Sequence, residues 1–373
     1  MKYYIIAGEA SGDLHGSNLM KAIIKEDPKA IFRFWGGDLM KAQGGTLVKH
    51  YRKLAFMGFL EVILNIRTIF KNLSFCKKDI TTFNPDTIIL IDYPGFNMRI
   101  AKWAKSLGKD TQYYISPQIW AWKENRIKAI KRDVNSMYVI LPFEKPFYEN
   151  KHDFPVHFVG HPLIDAINQH NYLRLSEFKS KYELDDRPII AILPGSRKQE
   201  IKKMLKVMLE VSSRFKNYQF IIAGAPSQPE SFYKQTIKNS EGHFISNDTY
   251  NLLNNAHAAL VTSGTATLET ALFKVPQVVC YKGSWISYEI GKRIIDLKFI
   301  SLVNLIMDKE VVMELIQNKF NTNSVTDALR GILNPNQRTK ILENYEVLEK
   351  SLGGIGASEN TAKLIISHIE KND

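Results

Sequence analysis

The sequence predicts an α/β protein made of two doubly wound, mostly parallel sheets. Three observations carry that prediction. Short β-branched runs alternate with helical patterns through both halves of the chain. At 373 residues the chain exceeds the usual size of one domain, and a polar stretch near 168–175 separates two halves of the same pattern. Several strand-to-helix turns are built from small residues, and ligands in such sheets bind at the carboxyl ends of the strands.

In the first half, strands are expected at 3–8, 31–35, 87–91, 111–115, 137–141 and 156–159. Helices are expected between them, for example at 12–24 and 96–107. The first turn, Gly8-Glu9-Ala10-Ser11-Gly12-Asp13, is glycine-rich but is not a dinucleotide fingerprint. The strand at 87–91 runs into Asp92-Tyr93-Pro94-Gly95-Phe96-Asn97. A partly desolvated Asp92 there can accept a proton from a hydroxyl; its plainer role would be to cap the following helix. Residues 54–73 place Phe59, Val62, Ile63, Ile66, Ile69, Phe70 and Leu73 on one apolar stripe, with Arg67, Lys71, Lys77 and Lys78 beside or after it. By pattern alone this is a core helix; beside so many cations it also suits a membrane interface. Trp120 and Trp122 stand on the loop after the strand at 111–115, and Gly160-His161-Pro162 reads as a hinge.

The second half repeats the pattern, with strands expected at 189–193, 219–223, 243–245, 258–261 and 277–280. Helices are expected at 199–215, 267–273 and 286–295. Its first strand ends in Leu193-Pro194-Gly195-Ser196-Arg197. Gly195 permits a tight turn, Ser196 is expected to cap the helix, and free amides at a helix start attract phosphate. Arg197 adds a planar cation able to grip a diphosphate with two parallel bonds. A second small-residue turn, Ser263-Gly264-Thr265, leads into a helix carrying Glu269, suited to ribose hydroxyls. An amphipathic helix is expected at 358–369. The domain boundaries read as 1–167 and 176–350, with 351–373 packing back toward the first domain.

The apolar and charged fractions, 45% and 24%, are those of a globular protein. Two separated cysteines, Cys76 and Cys280, suggest a reducing compartment and no disulfide framework. The N-terminal apolar run is too short for a signal peptide, and no run reaches a membrane span. A net charge of +12 points to anionic partners, and with no nucleic-acid motif these are phosphates and anionic lipid. No Asp-x-Asp pair marks a nucleotide-bound metal, so neither metal nor cofactor is expected.

Taken in order, Ala7 to Asp13, Met57-Gly58 with Glu61-Val62, Asp92 with Pro94, Phe96 and Asn97, Ser116-Pro117 with Trp120 to Trp122, Leu141-Pro142-Phe143-Glu144, Gly160-His161, Leu193 to Arg197, Ser263 to Glu269, Ser301-Leu302 with Asn304, and Glu314 with Gln317 form a specific set. With it the chain resembles the lipid-A-disaccharide synthases, inverting glycosyltransferases of the two-domain B type. That resemblance implies two Rossmann-like domains facing each other across a cleft. It implies condensation of UDP-2,3-diacylglucosamine with 2,3-diacylglucosamine 1-phosphate to a β-1,6-linked disaccharide 1-phosphate and UDP. It further implies Asp92 as general base, Gly195, Ser196, Arg197, Gly264, Thr265 and Glu269 around the nucleotide, and Glu9, Ser11, Asn304 and Gln317 near the substrates. The stripe from Phe59 to Phe70 would meet acyl chains at the cytoplasmic face of the inner membrane, and a homodimer is compatible with it. Val303, Tyr93 and Gly95 depart from the family pattern. The rival readings are a UDP-sugar epimerase on the same scaffold and a non-enzymatic lipid- or nucleotide-binding protein.

Overall fold

The computed structural model describes residues 1–54, 66–225, 228–237, 242–283 and 297–372. The chain forms two compact units, one of Met1–Ala166 with Leu352–Asp373, the other of Ile167–Ser351. In unit 1 seven parallel strands are described: β1 (Lys2–Ala7), β2 (Ile31–Gly36), β3 (Thr46–His50), β4 (Thr87–Ile91), β5 (Asp110–Tyr114), β6 (Ser136–Val139) and β7 (His157–Phe158). Their order is β3-β2-β1-β4-β5-β6-β7, so the direction of winding reverses between β1 and β4. Tyr3 to Ala7 and Ile88 to Ile91 are fully buried, because helices cover both faces of a parallel sheet.

Helices connect the first five of these strands in turn. The first, α1 (Ala10–Glu26), leaves β1. The buried Asp13 accepts the amides of Gly37, Leu39 and Met40 at 2.6, 3.1 and 3.1 Å, and so caps α2 (Asp38–Ala42). The third, α3 (Ile66–Phe83), corrects the sequence reading of where the apolar helix stops. It continues past Leu73 because Leu73, Cys76 and Ile80 recur at helical spacing and are all buried in the core, which places Lys77 and Lys78 inside the helix rather than after it. Phe59, Val62 and Ile63, and the side chain of Ile66, lie outside the described residues. The fourth, α4 (Pro94–Ser106), follows β4 with Pro94 in its first turn, where the missing N–H costs no helical bond.

Unit 2 repeats the design with β8 (Ile189–Leu193), β9 (Gln219–Gly224), β10 (His243–Ser246), β11 (Ala258–Thr262), β12 (Gln277–Tyr281) and β13 (Glu314–Ile316). Their order is β10-β9-β8-β11-β12-β13, all parallel, so winding reverses between β8 and β11. The helices leaving those two strands are α5 (Lys198–Ser212) and α6 (Thr265–Leu272). The helix expected at 286–295 lies outside the described residues. Two edge strands, β3 and β13, were not expected from the sequence.

The last helix, α7 (Ala357–Asn372), belongs to unit 1 and lies against α1. Lys25 Nζ meets Glu359 at 2.6 Å. The amides of Gly356 and Ser358 donate to the Asp165 carboxylate at 2.7 and 3.0 Å. Near its far end, His368 joins Ser136 Oγ at 3.0 Å to Asp110 Oδ1 at 3.1 Å, which ties the amino ends of β6 and β5.

Candidate functional site

In each unit the loops at the reversal of winding diverge, and the space left between them is where a doubly wound sheet takes its ligand. In unit 1 that point is fixed by the pairing of Ala7 with Ile91. Gly8-Glu9 therefore leaves the sheet beside Asp92. The approach is close: a Cβ on Gly8 would fall 2.4 Å from the Tyr93 ring. Glu9 holds the N-cap position of α1 without a side-chain cap bond, and Ser11 is exposed in the first turn.

Asp92 continues β4 by one bond, its amide donating to Tyr114 O at 3.1 Å. Its backbone then turns left-handed, at φ 43°, followed by Tyr93 at φ 49°. Two successive left-handed residues that are not glycine are strained, and persist only where the surroundings hold them. Here Tyr113 Oη and Asn97 Nδ2 hold the Asp92 carbonyl at 2.6 and 2.7 Å. Asn97 Nδ2 also reaches Ile6 O and Ile91 O at 3.3 and 3.2 Å, so one amide ties both strand ends. The Asp92 carboxyl is half-buried. Burial first, then the charges of Glu9 and Glu144, push its pKa up to about 6.

In unit 2 the pairing of Val261 with Leu193 fixes the corresponding point. A cavity of about 300 Å³ opens there, lined among others by Gly195, Ser196, Thr262, Gly264, Thr265 and Glu269. Gly195 turns at φ 98°, and a Cβ on it would meet Glu200 Oε2 at 3.2 Å and Thr262 Cγ2 at 3.3 Å. The left-handed turn therefore favours glycine, and the space beside it is tight. The expected cap is corrected: Arg197, not Ser196, is the N-cap of α5. The chain is still extended at Arg197 after the glycine turn, and its carbonyl takes the first helical bond, from Ile201 at 2.9 Å. The Arg197 side chain is mostly exposed and meets Glu200 at 3.1 Å.

Gly264 precedes α6, and Thr265 is its first residue. Glu269 lies one turn on, accepts from Tyr250 Oη at 3.4 Å, and is pushed up to about pKa 6 by burial. Thr262 was not expected from the sequence. Its Oγ1 is buried with no partner among the described residues, on a residue that lines the cavity, a hydroxyl of the kind that receives a ligand.

Two further expected residues part company. Gln317 follows β13 at φ 53°, with Nε2 buried and unpartnered among the described residues. Asn304 is used up inside the fold, which corrects its expected place facing a substrate. Its Nδ2 donates to Val312 O and Glu314 Oε1 at 2.8 and 2.9 Å, and its Oδ1 accepts from Val311 and Val312 at 2.8 and 3.0 Å. On α3, Ile69 is half-buried against the core whereas Phe70 is exposed, so the expected membrane stripe divides between two faces.

Two doubly wound parallel sheets in two units are the fold of the B class of glycosyltransferases. The family model described as lipid-A-disaccharide synthetase matches residues 3–365, and the chain belongs to that family. A lipid-A-disaccharide synthase of Syntrophus aciditrophicus (strain SB) is 39% identical over 381 residues, covering 99% of this chain and 98% of that one. Among solved structures, the UDP-GlcNAc 2-epimerase of Neisseria meningitidis bound to UDP-GlcNAc superposes with a TM-score of 0.69 at 13% identity, over 100% of both chains. The glycotransferase of kitacinnamycin gives 0.67 at 10%, over 99% of each. At those identities the two structures share the fold alone. The chain is a glycosyltransferase of lipid A biosynthesis, acting on a sugar nucleotide and a lipid. No described helix is long and apolar enough to cross a membrane.

Proposed function

We propose that the chain condenses UDP-2,3-diacylglucosamine with 2,3-diacylglucosamine 1-phosphate, giving the β-1,6-linked tetraacylated disaccharide 1-phosphate and UDP. The observation that carries this reading is the placement of Asp92 just beyond β4 at the reversal point of unit 1, where burial pushes its carboxyl up to about 6. A carboxylate near pKa 6 is ionised at neutral pH yet basic enough to take a proton from a sugar hydroxyl. Asp92 removes the proton of the acceptor 6-hydroxyl as that oxygen attacks the donor anomeric carbon. The bond to the diphosphate breaks on the opposite face, its electron pair leaves with UDP, and the configuration inverts.

Charge gathering on the leaving diphosphate is met by the amide-rich turns at Gly195-Ser196 and Gly264-Thr265 and by Arg197, a positive environment set before the bond breaks. Its neighbour Glu200 lies at the edge of the same cavity, so the guanidinium must leave that exposed ion pair to reach phosphate. Glu269 is assigned to the ribose, Gln317, Glu9 and Ser11 to substrate edges, and no metal is assigned. Incubation with the two substrates followed by mass spectrometry tests the whole. A new disaccharide phosphate with equimolar UDP supports it; epimerised UDP-sugar or no product overturns it.

The reading extends to an inner-membrane surface. Exposed Phe70 carries Arg99 over its ring at 5.8 Å, and exposed Phe75 carries Lys49 at 6.0 Å. Exposed Trp122 is flanked by Lys123 at 4.4 Å and Arg126 at 5.2 Å. Aromatic rings beside cations suit the boundary between acyl chains and anionic headgroups. Replacing Phe70 and Phe75 with Ser is expected to weaken binding to anionic vesicles several-fold with the melting temperature nearly unchanged. Unchanged vesicle binding would remove this face from the membrane contact.

A further inference from the structure

Glu144 is 1% exposed and accepts four hydrogen bonds. Its Oε1 takes Ser116 Oγ at 2.5 Å and Trp120 Nε1 at 3.2 Å. Its Oε2 takes the amides of Ile140 and Leu141 at 3.1 and 2.9 Å. Indole and amide N–H groups only donate, so three of the four partners demand an acceptor, and these bonds offset part of the burial that pushes the Glu144 carboxyl up. One side chain thus joins the chain leaving β6 to the loop leaving β5. That loop has reason to need a fastening. Ile115, a β-branched residue, sits at φ 64°, a conformation that such residues adopt only under constraint. Two further contacts fix the same loop: the Trp120 ring packs edge-on against Phe143 at 4.8 Å, and Tyr148 Oη donates to Pro117 O at 3.2 Å.

The loop is next to the proposed base. Ile91 pairs with Tyr114, so Asp92 and Ser116 leave the sheet on neighbouring strands. We propose that Glu144 is a positioning residue for the transfer reaction: its carboxylate latches the 116–122 loop beside Asp92, making that loop a fixed wall of the acceptor site. This rests on the reading of Asp92 as the base. The same carboxylate reaches Asp92 through space. The charged and titratable groups acting on Asp92 are Glu9 from the β1–α1 turn and Glu144 from the segment after β6. Tyr113 from β5, itself under the influence of Arg126 and Tyr148, and the adjoining Tyr93 complete its surroundings.

The test is Glu144→Gln, which keeps the shape and removes one acceptor oxygen. With the remaining oxygen on the two amides, the new NH₂ can donate to Ser116 Oγ, because a hydroxyl also accepts. It cannot satisfy Trp120 Nε1–H, which only donates, so Trp120 is released. The expected result is a roughly ten-fold rise in acceptor KM, the scale of one lost charge-assisted bond. Altered Trp120 emission is also expected, identified by its absence in a Trp120→Phe background. The acid limb of kcat/KM should move to lower pH as a negative neighbour of Asp92 is lost, while UDP affinity stays unchanged.

Trp120→Phe alone should reproduce the KM effect and add nothing to it in the double variant. A folded Glu144→Gln enzyme with wild-type acceptor KM and acid limb overturns the proposal. Should Glu144→Gln fail to fold, Trp120→Phe and Ser116→Ala probe the latch from its other side, and wild-type acceptor KM in both overturns it equally. Asp92→Asn separates the two claims. Full activity there removes the base reading, whereas an inactive Asp92→Asn beside an unaltered Glu144→Gln removes only the latch.

Discussion

At the reversal of winding in unit 1 the strand ends carry side-chain charge. Glu9, Asp92 and Glu144 gather there, and residues other than glycine, Asp92, Tyr93 and Ile115, are held left-handed by named hydrogen bonds and packing. At the corresponding point of unit 2 the turns are glycine and small residues, and the positive ends of two helices face a cavity lined by Thr262, whose hydroxyl has no partner among the described residues. One topology has therefore been finished in two ways. Burial and two neighbouring carboxylates raise the proton affinity of Asp92, which serves proton transfer, and clustered negative charge repels phosphate. Helix-start amides and an exposed guanidinium do the reverse. The lesson is that a doubly wound sheet fixes where chemistry happens, while the residues one or two positions beyond the strand end decide which chemistry it is.

The largest test of that division is Asp92→Asn. Turnover should fall by at least ~100-fold, the usual scale for a lost general base, with UDP affinity unchanged by calorimetry. A parallel fall in UDP affinity would mean that the two ends are not chemically separate. Next in size is Arg197→Ala. UDP affinity and turnover should each fall about ten-fold, within the range for one exposed charge-assisted contact. The acid limb, measured on the same variant, should not move, because Arg197 has no part in proton transfer.

The pH profile sharpens the comparison from the other side. Asp92 must be ionised to act, so kcat/KM should rise with pH and reach half its plateau near pH 6, where burial and its two acidic neighbours place the carboxyl. A limb near pH 4 would mean that the end of unit 1 is no less hydrated than an ordinary surface.

The remaining effect is on stability, and its sign is the reverse of the common one for Asp. The folded pKa of Asp92 lies above the ordinary value of 3.8, so the folded state holds the proton more tightly. The associated stabilisation is complete below about pH 4 and disappears as pH rises through about 6. Asp92→Asn should therefore melt higher than the wild type at pH 8, by at most ~3 kcal/mol in stability, with the gap closing near pH 4. A variant less stable at pH 8 would show that the carboxylate holds the loop together instead of straining it.

Much of this arrangement was legible in the sequence because buried parallel strands leave unbroken β-branched runs. That signal alone places Leu193 and Ile91 at strand ends, and misses Ala7 and Thr262 by one residue, with the expected ends at Gly8 and Val261. Edge strands leave a weaker trace. Strand β3, Thr46–His50, is nowhere fully buried and mixes Lys49 and His50 with Leu47 and Val48; β13 is three residues long. The end of α3 was hidden because Lys77 and Lys78 look like the close of an apolar stripe, while the buried positions that prolong it, Cys76 and Ile80, appear only once the helix is drawn. Side-chain roles were least legible where partners are distant in sequence. Asn304 is spent on residues 311, 312 and 314, a local loop that local spacing does not reveal. Glu144 meets Ser116 and Trp120 at separations of 28 and 24 residues, through the accident that β5 and β6 are neighbours.

The place of α7 sets an order of events during synthesis. Unit 2 is one continuous stretch, Ile167–Ser351, and every residue of it precedes the closing helix of unit 1. A ribosome thus releases the whole of unit 2 while α1 still lacks its covering helix; Lys25 waits for Glu359, 334 residues later. Unit 1 is begun first and finished last. Its late step is a chain closure of long range, slow by loop-closure entropy, and the apolar face of α1 stays exposed until then. A nascent chain stalled after Ser351 would carry a complete unit 2 and an unfinished unit 1, with apolar surface of the kind that chaperones cover.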